Sequence, residues 1–254
     1  MGILERFRLE GKTALVTGAA GGLGAAIAIA LAEAGAAVAC HGNRRPADAT
    51  AEQIRTIGKQ AQSFSADLSH VHGADKLFSA VSATMGAPDI LVNNAGMIHR
   101  NTAESFESDA WNTVLQVNLT SVFRLSQLAG AEMLKQGSGK IINIASLLSF
   151  QGGIRVPAYA TSKGGVAQLT KALANEWAGR GIQVNAIAPG YFRTENTSAL
   201  QQDETRNRQI LERIPAQRWG NPEDLSGAAV FLASSASDYV NGEVLVVDGG
   251  WMAR

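Results

Sequence analysis

One cysteine, Cys40, stands in 254 residues, so no intramolecular disulfide can form and a reducing compartment suits the chain. In an apolar strand such a residue reads as a small core side chain. No stretch approaches twenty consecutive apolar residues. Glu5 and Arg6 interrupt the N-terminus where a signal peptide would need its apolar core, and a cytoplasmic protein is expected. Charge of either sign is not in excess, with 22 Lys and Arg against 22 Asp and Glu. That balance gives no support to nucleic acid or a membrane surface as the main partner. The four histidines, His41, His70, His72 and His99, form no metal-ligand spacing that a lone cysteine completes, and no metal is assigned. Low-complexity linkers are missing too. With 46% apolar residues, what remains is a globular chain with a large core.

The chain is organised around Ser146 to Lys163. Lys140 to Ala145 reads as a β-rich run leading into Ser146, and Pro157 is placed to open a helix. Tyr159 and Lys163, four residues apart, then share one helix face. A cation beside a phenol favours the phenolate, which a tyrosine titrating at about 10 needs if it is to exchange protons near neutrality. Ser146 is positioned to hydrogen-bond the oxygen undergoing reaction. Tyr-x-x-x-Lys alone is a weak signal, because most such pairs are solvated; its weight comes from what precedes it.

Lys12 to Thr17 is a strand candidate running into Gly18-Ala19-Ala20-Gly21-Gly22-Leu23-Gly24, followed by an alanine-rich helix over Ala25 to Ala34. Glycines 18, 22 and 24 let backbone approach a phosphate and aim N–H groups at it from a helix N-terminus. Ala36 to His41 is the second strand. The loop after it has no acidic residue to bond the ribose hydroxyls of a dinucleotide, and instead offers Asn43, Arg44 and Arg45, which lean towards the 2′-phosphate of NADP(H). The same arginines would be unremarkable in any surface loop.

Further strands are expected over Gln62 to Ala66, Asp89 to Val92, Lys140 to Ala145, Ile182 to Ile187 and Glu243 to Val247. Helices are expected over Ala47 to Gln60, His70 to Met85, Trp111 to Gln136, Tyr159 to Ala178 and from Asn221 to Ala233. Asp67-Leu68 either faces the adenine or caps the next helix. Asn93-Asn94-Ala95-Gly96 gives amides and tight backbone beside a flat cofactor, or a plain turn. Asn118 lies inside a helix, where it either bends the helix and holds a water or is a satisfied structural amide. Pro189-Gly190 ends the sixth strand, and Thr194 is either a hydroxyl for the cofactor or a helix cap. The polar segment 195–213 reads as a lid. Alternating strands and helices predict an α/β fold: a single-domain, Rossmann-type, doubly wound, seven-stranded parallel sheet flanked by helices.

Thr17-Gly18-x-x-x-Gly22-x-Gly24, Asn93-Asn94-Ala95-Gly96, Asn118, Ser146, Tyr159-x-x-x-Lys163 and Pro189-Gly190, in this order and over essentially the whole chain, resemble the classical short-chain dehydrogenase/reductase family. Within it, the stretches Lys140 to Tyr159, Asn185 to Tyr191 and Phe231 to Gly242 resemble members acting on deoxy-sugar acids of the 2-dehydro-3-deoxy-gluconate and 2-deoxy-gluconate type. The resemblance implies NAD(H) or NADP(H) as cofactor, Tyr159 as acid/base, Ser146 polarising the reacting oxygen, Lys163 lowering the tyrosine pKa and holding the nicotinamide ribose, and Asn118 seating a relay water. It also implies a small sugar-acid substrate, whose carboxylate needs an arginine: Arg155, Arg100 or Arg193, with Gln151 facing the same substrate. Each arginine could equally serve a surface or an interface. A 3-oxoacyl-carrier-protein reductase and a silent dinucleotide sensor share much of this pattern. The resemblance, and the apolar faces of the helices around Asn118 and Tyr159, predict a homotetramer, with the chain-end Trp251 held against a neighbour.

Overall fold

The computed structural model describes residues 2–254. Seven strands, Thr13–Val16 (β1), Ala37–Gly42 (β2), Ala61–Ser65 (β3), Ile90–Asn93 (β4), Gly139–Ile144 (β5), Ile182–Pro189 (β6) and Val244–Val247 (β7), form one sheet in the order β3-β2-β1-β4-β5-β6-β7. Every neighbouring pair is parallel. Parallel strands covered on both faces need near-continuous apolar runs, and β1 (TALV) and β4 (ILVN) supply them.

The two-residue period of a strand divides these side chains between two cores. Val16, Val92 and Ile142 pack beneath Gly22–Glu33 (α1), Asp48–Thr56 (α2) and Ser226–Ala233 (α9). Leu15, Leu91 and Ile141 point the other way, against Gly73–Met85 (α3), Ser121–Gln136 (α5) and Pro157–Trp177 (α6). Leu15 and Leu91 are fully buried, and truncating either to alanine costs about 2–5 kcal/mol. Where α5 and α6 pack, Gly130 leaves room for Trp177, whose ring would lie 2.7 Å from an added Cβ. No helix among the described residues is long and apolar enough to cross a membrane.

The helix expected over 111–136 and the segment expected as a lid are both interrupted. The stretch expected as one helix over Trp111 to Gln136 starts earlier, at Ser108–Leu115 (α4), and reaches α5 through a π turn, Gln116–Thr120. Asn118 sits in that turn, which lodges an extra residue so that its side chain enters the protein. The 195–213 segment is not one helix. It is a 3-10 turn, Glu195–Thr197, then Ser198–Gln202 (α7) and Glu204–Arg213 (α8), broken at Asp203, whose carboxylate accepts the Arg206 N–H at 3.0 Å and starts α8 afresh.

Chain order runs outward from β1 to β3, then returns to β4 on the other side of β1. The loops leaving β1 and β4 therefore part, and a crevice opens at the carboxyl ends of the strands.

Candidate active site

Gly18 (φ 67°) and Gly22 (φ 55°) adopt left-handed backbone, and a Cβ on Gly24 would lie 2.2 Å from the Gly18 carbonyl oxygen. The loop is held from behind. Asn94 Nδ2 donates to the carbonyls of Thr17 (2.8 Å) and Gly18 (3.1 Å), while Thr17 Oγ1 accepts the Asn94 and Ala95 amides, both at 2.9 Å. Asn94 thus contributes the shape of the crevice rather than a free amide. His41, which the sequence did not single out for this, accepts the Gly18 N–H on Nδ1 (3.2 Å) and donates from Nε2 to the Ala66 carbonyl (3.0 Å). Burial pushes its pKa down, which keeps that neutral form.

At the ends of β2 and β3, Asn43 Nδ2 donates to Asp67 (3.0 Å), and Asp67 also accepts from the Ser69 amide (2.9 Å) and hydroxyl (2.7 Å). Asp67 therefore caps the turn after β3. It does not cap α3, which begins at Gly73 behind His72. Leu68 is core. Of the Asn43-Arg44-Arg45 loop only Arg45 lines the crevice: its guanidinium lies 3.3 Å from where a Gly21 Cβ would be, and 3.6 Å from Glu195.

Ser146, Tyr159 and Lys163 line one cleft of about 1380 Å³ together with Gly18, Gly22, Leu23, Gly24, Ala95 and Gly96, and with Pro189, Gly190 and Thr194. Ser146 leaves β5 and accepts the Leu148 N–H at 3.2 Å, which fixes its hydroxyl. Tyr159 is half-buried on the first turn of α6. One turn on, the Lys163 ammonium lies 5.7 Å from the Tyr159 ring centre and donates to the Ile144 carbonyl at 2.6 Å. Asn118 is fully buried, and it brackets Met97: Oδ1 accepts its N–H at 2.8 Å and Nδ2 donates to its carbonyl at 2.9 Å. Nδ2 also reaches Ser162 Oγ at 3.1 Å, which donates to the Tyr159 carbonyl at 2.7 Å. Thr194 both faces Gly22 and caps the turn after it.

The electrostatics correct one expectation. Burial pushes the Tyr159 phenol up, with the Ser146 hydroxyl and the Arg100 charge acting against that rise. A depressed phenol is therefore not what this chain holds by itself. Burial also pushes Lys163 down, to about 8. In both groups burial is the leading cause of the shift.

Residues 18–252 match the family model described as enoyl-(acyl carrier protein) reductase. A Bacillus subtilis protein named 2-dehydro-3-deoxy-D-gluconate 5-dehydrogenase is 56% identical over all of both chains. A solved Agrobacterium tumefaciens structure, assigned as a 2-deoxy-D-gluconate 3-dehydrogenase with bound NADP, is 55% identical over 98% of this chain and 99% of its own, with a TM-score of 0.93. A gluconate 5-dehydrogenase from Burkholderia cenocepacia, in complex with NADP and tartrate, is 41% identical over both full chains, with a TM-score of 0.92. The chain belongs to the short-chain dehydrogenase/reductase family.

In this dehydrogenase/reductase the remaining wall of the cleft is basic. Arg100 and Arg193 line it as expected. Arg155 does not: it is exposed, in left-handed backbone at φ 63°, outside the cleft. Arg206 and Arg213 also line the cleft. Seven residues apart on α8, they share one helix face, a spacing that was there to be read. Gln151 lines the cleft and accepts from Trp251 Nε1 at 3.3 Å. Trp251, expected against a neighbour, is buried within its own chain beside Tyr191, ring centres 4.5 Å apart. The cations Arg45, Arg100, Lys163, Arg193, Arg206 and Arg213 face the cleft against one carboxylate, Glu195, in a chain of net charge zero.

Proposed function

We propose that this chain is an NAD(P)-dependent oxidoreductase that interconverts a ketone and a secondary alcohol on a deoxy-sugar acid of the 2-dehydro-3-deoxy-gluconate class. The observation that carries the reading is the meeting of Ser146, Tyr159, Lys163 and the Asn118 network in a switch-point cleft whose charged lining is almost wholly cationic. Such a cleft favours anions at both ends, a dinucleotide's phosphates and a substrate's carboxylate. Relatives more than half identical over their full length carry the matching name.

The glycine cradle fits a dinucleotide. Gly21 and Gly22 present backbone at the N-terminus of α1, with only the Thr194 methyl within 3.6 Å of a Gly22 Cβ, and that is the place for a pyrophosphate. Gly96 and Lys163 would hold the nicotinamide ribose; Pro189, Gly190 and Thr194 would hold the carboxamide. The cofactor, when bound, supplies or accepts the hydride.

In reduction Tyr159 gives its phenolic proton to the carbonyl oxygen; in oxidation it takes the proton from the hydroxyl. Ser146 Oγ hydrogen-bonds that same oxygen and fixes its position. Lys163 brings positive charge to the phenol, and Asn118 holds the Met97 backbone from which a relay water reaches the lysine. Arg45 favours NADP(H), because it lies against Gly21 and no carboxylate ends β2. The 195–213 segment closes over the substrate as a lid.

A homotetramer belongs to the same reading. Phe123 on α5 and Ile154 beside the cleft are large apolar side chains left exposed, surfaces a second copy would cover. A monomeric mass in light scattering at micromolar concentration would contradict it.

The test is the initial rate of reduction of 2,5-diketo-3-deoxygluconate and of an acetoacetyl thioester, each with NADH and NADPH at equal concentration. Selective reduction of the sugar acid supports the reading. Selective reduction of the thioester replaces it with carrier-protein reduction.

A further inference from the structure

In a 2-keto sugar acid reacting at its fifth carbon, the carboxylate and the reacting carbonyl lie at opposite ends of the carbon chain. A cation beside the reacting oxygen is then in the wrong place for the carboxylate. Arg100 is such a cation, since its charge acts on the Tyr159 phenol. Arg155 is outside the cleft.

The other wall is built on α8 and the chain end. Arg213 lies over the Trp251 ring, its guanidinium carbon 4.0 Å from the ring centre, an arrangement that fixes the plane of the guanidinium. Trp251 is itself held by Gln151 at 3.3 Å and packs on Tyr191 at 4.5 Å, with Trp219 behind Tyr191 at 5.6 Å. Arg206 comes from one face of the same helix, and the charges of both arginines act on the Tyr191 phenol. Neither arginine side chain forms an ion pair among the described residues; the Arg206 guanidinium donates to Gln209, at 3.0 Å. The single carboxylate lining the cleft, Glu195, faces Arg45 instead. Two guanidinia without an ion-pair partner among the described residues, one of them over the Trp251 ring, line the cleft and leave their charge for a ligand to neutralise.

Resting on the function proposed above, we infer that Arg206 and Arg213 form the carboxylate subsite for the sugar acid, with Tyr191 and Gln151 completing its polar wall. The substrate then spans the cleft from α8 to Tyr159.

The experiment compares 2,5-diketo-3-deoxygluconate with its neutral C1 amide in the wild type, Arg213→Gln, Arg213→Lys and Arg206→Gln. Loss of a charge-assisted pair predicts kcat/KM for the acid about 10- to 100-fold lower in each Gln variant, with the amide falling several-fold less than the acid and Arg213→Lys intermediate. Acid-over-amide discrimination retained at the wild-type level in both Gln variants would overturn the subsite. A second arm needs no turnover: calorimetric titration of the wild type with tartrate, expected to bind, and of Arg213→Gln, expected to bind at least tenfold more weakly. Equal tartrate affinity in the two proteins also overturns the subsite. Turnover of neither acid nor amide, with tartrate still discriminating, would remove the assigned substrate and leave the anion site standing.

Discussion

Asn118 grips Met97 with both ends of one carboxamide, at 2.8 and 2.9 Å, and passes a third bond to Ser162. The π turn that carries Asn118 is thereby tied to the loop leaving β4 and to the helix that carries Tyr159. Asn118→Leu removes all three bonds and leaves the Met97 N–H and carbonyl, half-buried on the cleft wall, without their protein partner. The expected cost is about 1–3 kcal/mol of stability, at about 0.5–1.5 kcal/mol for each hydrogen bond lost, read by urea denaturation. Turnover is expected to fall at least tenfold in the fraction that stays folded, because the Met97 backbone no longer borders the site in a fixed position. Unchanged kcat with unchanged stability would show the bracket to be idle.

Tyr159→Phe keeps the ring and removes the oxygen. Reduction is expected to fall about 10²- to 10⁴-fold, the span of general acid catalysis. Cofactor affinity, followed by fluorescence, is expected to stay within twofold. Retention of affinity separates lost chemistry from a lost site, and it also separates an enzyme from a dinucleotide sensor.

Lys163 gives a pH dependence with a definite sign. Its folded pKa of about 8 lies below the ordinary 10.5 because burial penalises the ammonium. Between these values the unfolded chain holds a proton that the folded chain has released, so stability rises with pH across that window. The penalty is fully present below about 8, where it amounts to about 3 kcal/mol. Denaturation from pH 7 to 10 should show the wild type gaining on Lys163→Met. Activity moves the other way: kcat/KM for the cofactor should fall above about 8 as the ammonium is lost.

The fold was legible in the sequence because parallel strands buried on both faces must be apolar, and their spacing by helix-length stretches leaves few topologies. Of the site, Ser146, Tyr159 and Lys163 were legible from strand-end and i,i+4 placement. Of Arg206 and Arg213 the shared helix face was legible from their spacing, but not that this face meets the cleft. Arg155 is four residues before Tyr159, but Val156 separates it from the helix and its φ of 63° turns it away from the cleft. On the cleft wall Arg213 lies over Trp251, from the far end of the chain, and no local pattern reports such a contact. His41 behind the glycine loop was hidden for the same reason.

Arg45 is expected to set the preference between the two dinucleotides. Arg45→Ala should raise KM for NADPH about 10- to 100-fold, as for loss of charged hydrogen bonds, and leave KM for NADH nearly unchanged. Glu195 competes for the same guanidinium at 3.6 Å. An exposed pair of this kind contributes about 0–1 kcal/mol, so Glu195→Gln should lower KM for NADPH by no more than about fivefold. Equal effects on NADH and NADPH in Arg45→Ala would place the 2′-phosphate elsewhere.

Gly22 and Gly24 are required for different reasons, and substitution separates them. A Cβ on Gly24 would lie 2.2 Å from the Gly18 carbonyl and 2.4 Å from Asn94 Nδ2, so the loop itself must open. Gly24→Ala is therefore expected to lose stability and cofactor binding together. Around Gly22 there is space, with the Thr194 methyl 3.6 Å away, but its φ of 55° is left-handed. Asparagine tolerates that conformation better than other side chains. Gly22→Asn should keep the melting temperature within a few degrees while raising KM for either dinucleotide at least tenfold, because the new side chain occupies the place proposed for the pyrophosphate. A Gly22→Asn enzyme with unchanged KM would move the phosphate away from the N-terminus of α1, and would remove the support for Arg45 as the proposed 2′-phosphate contact.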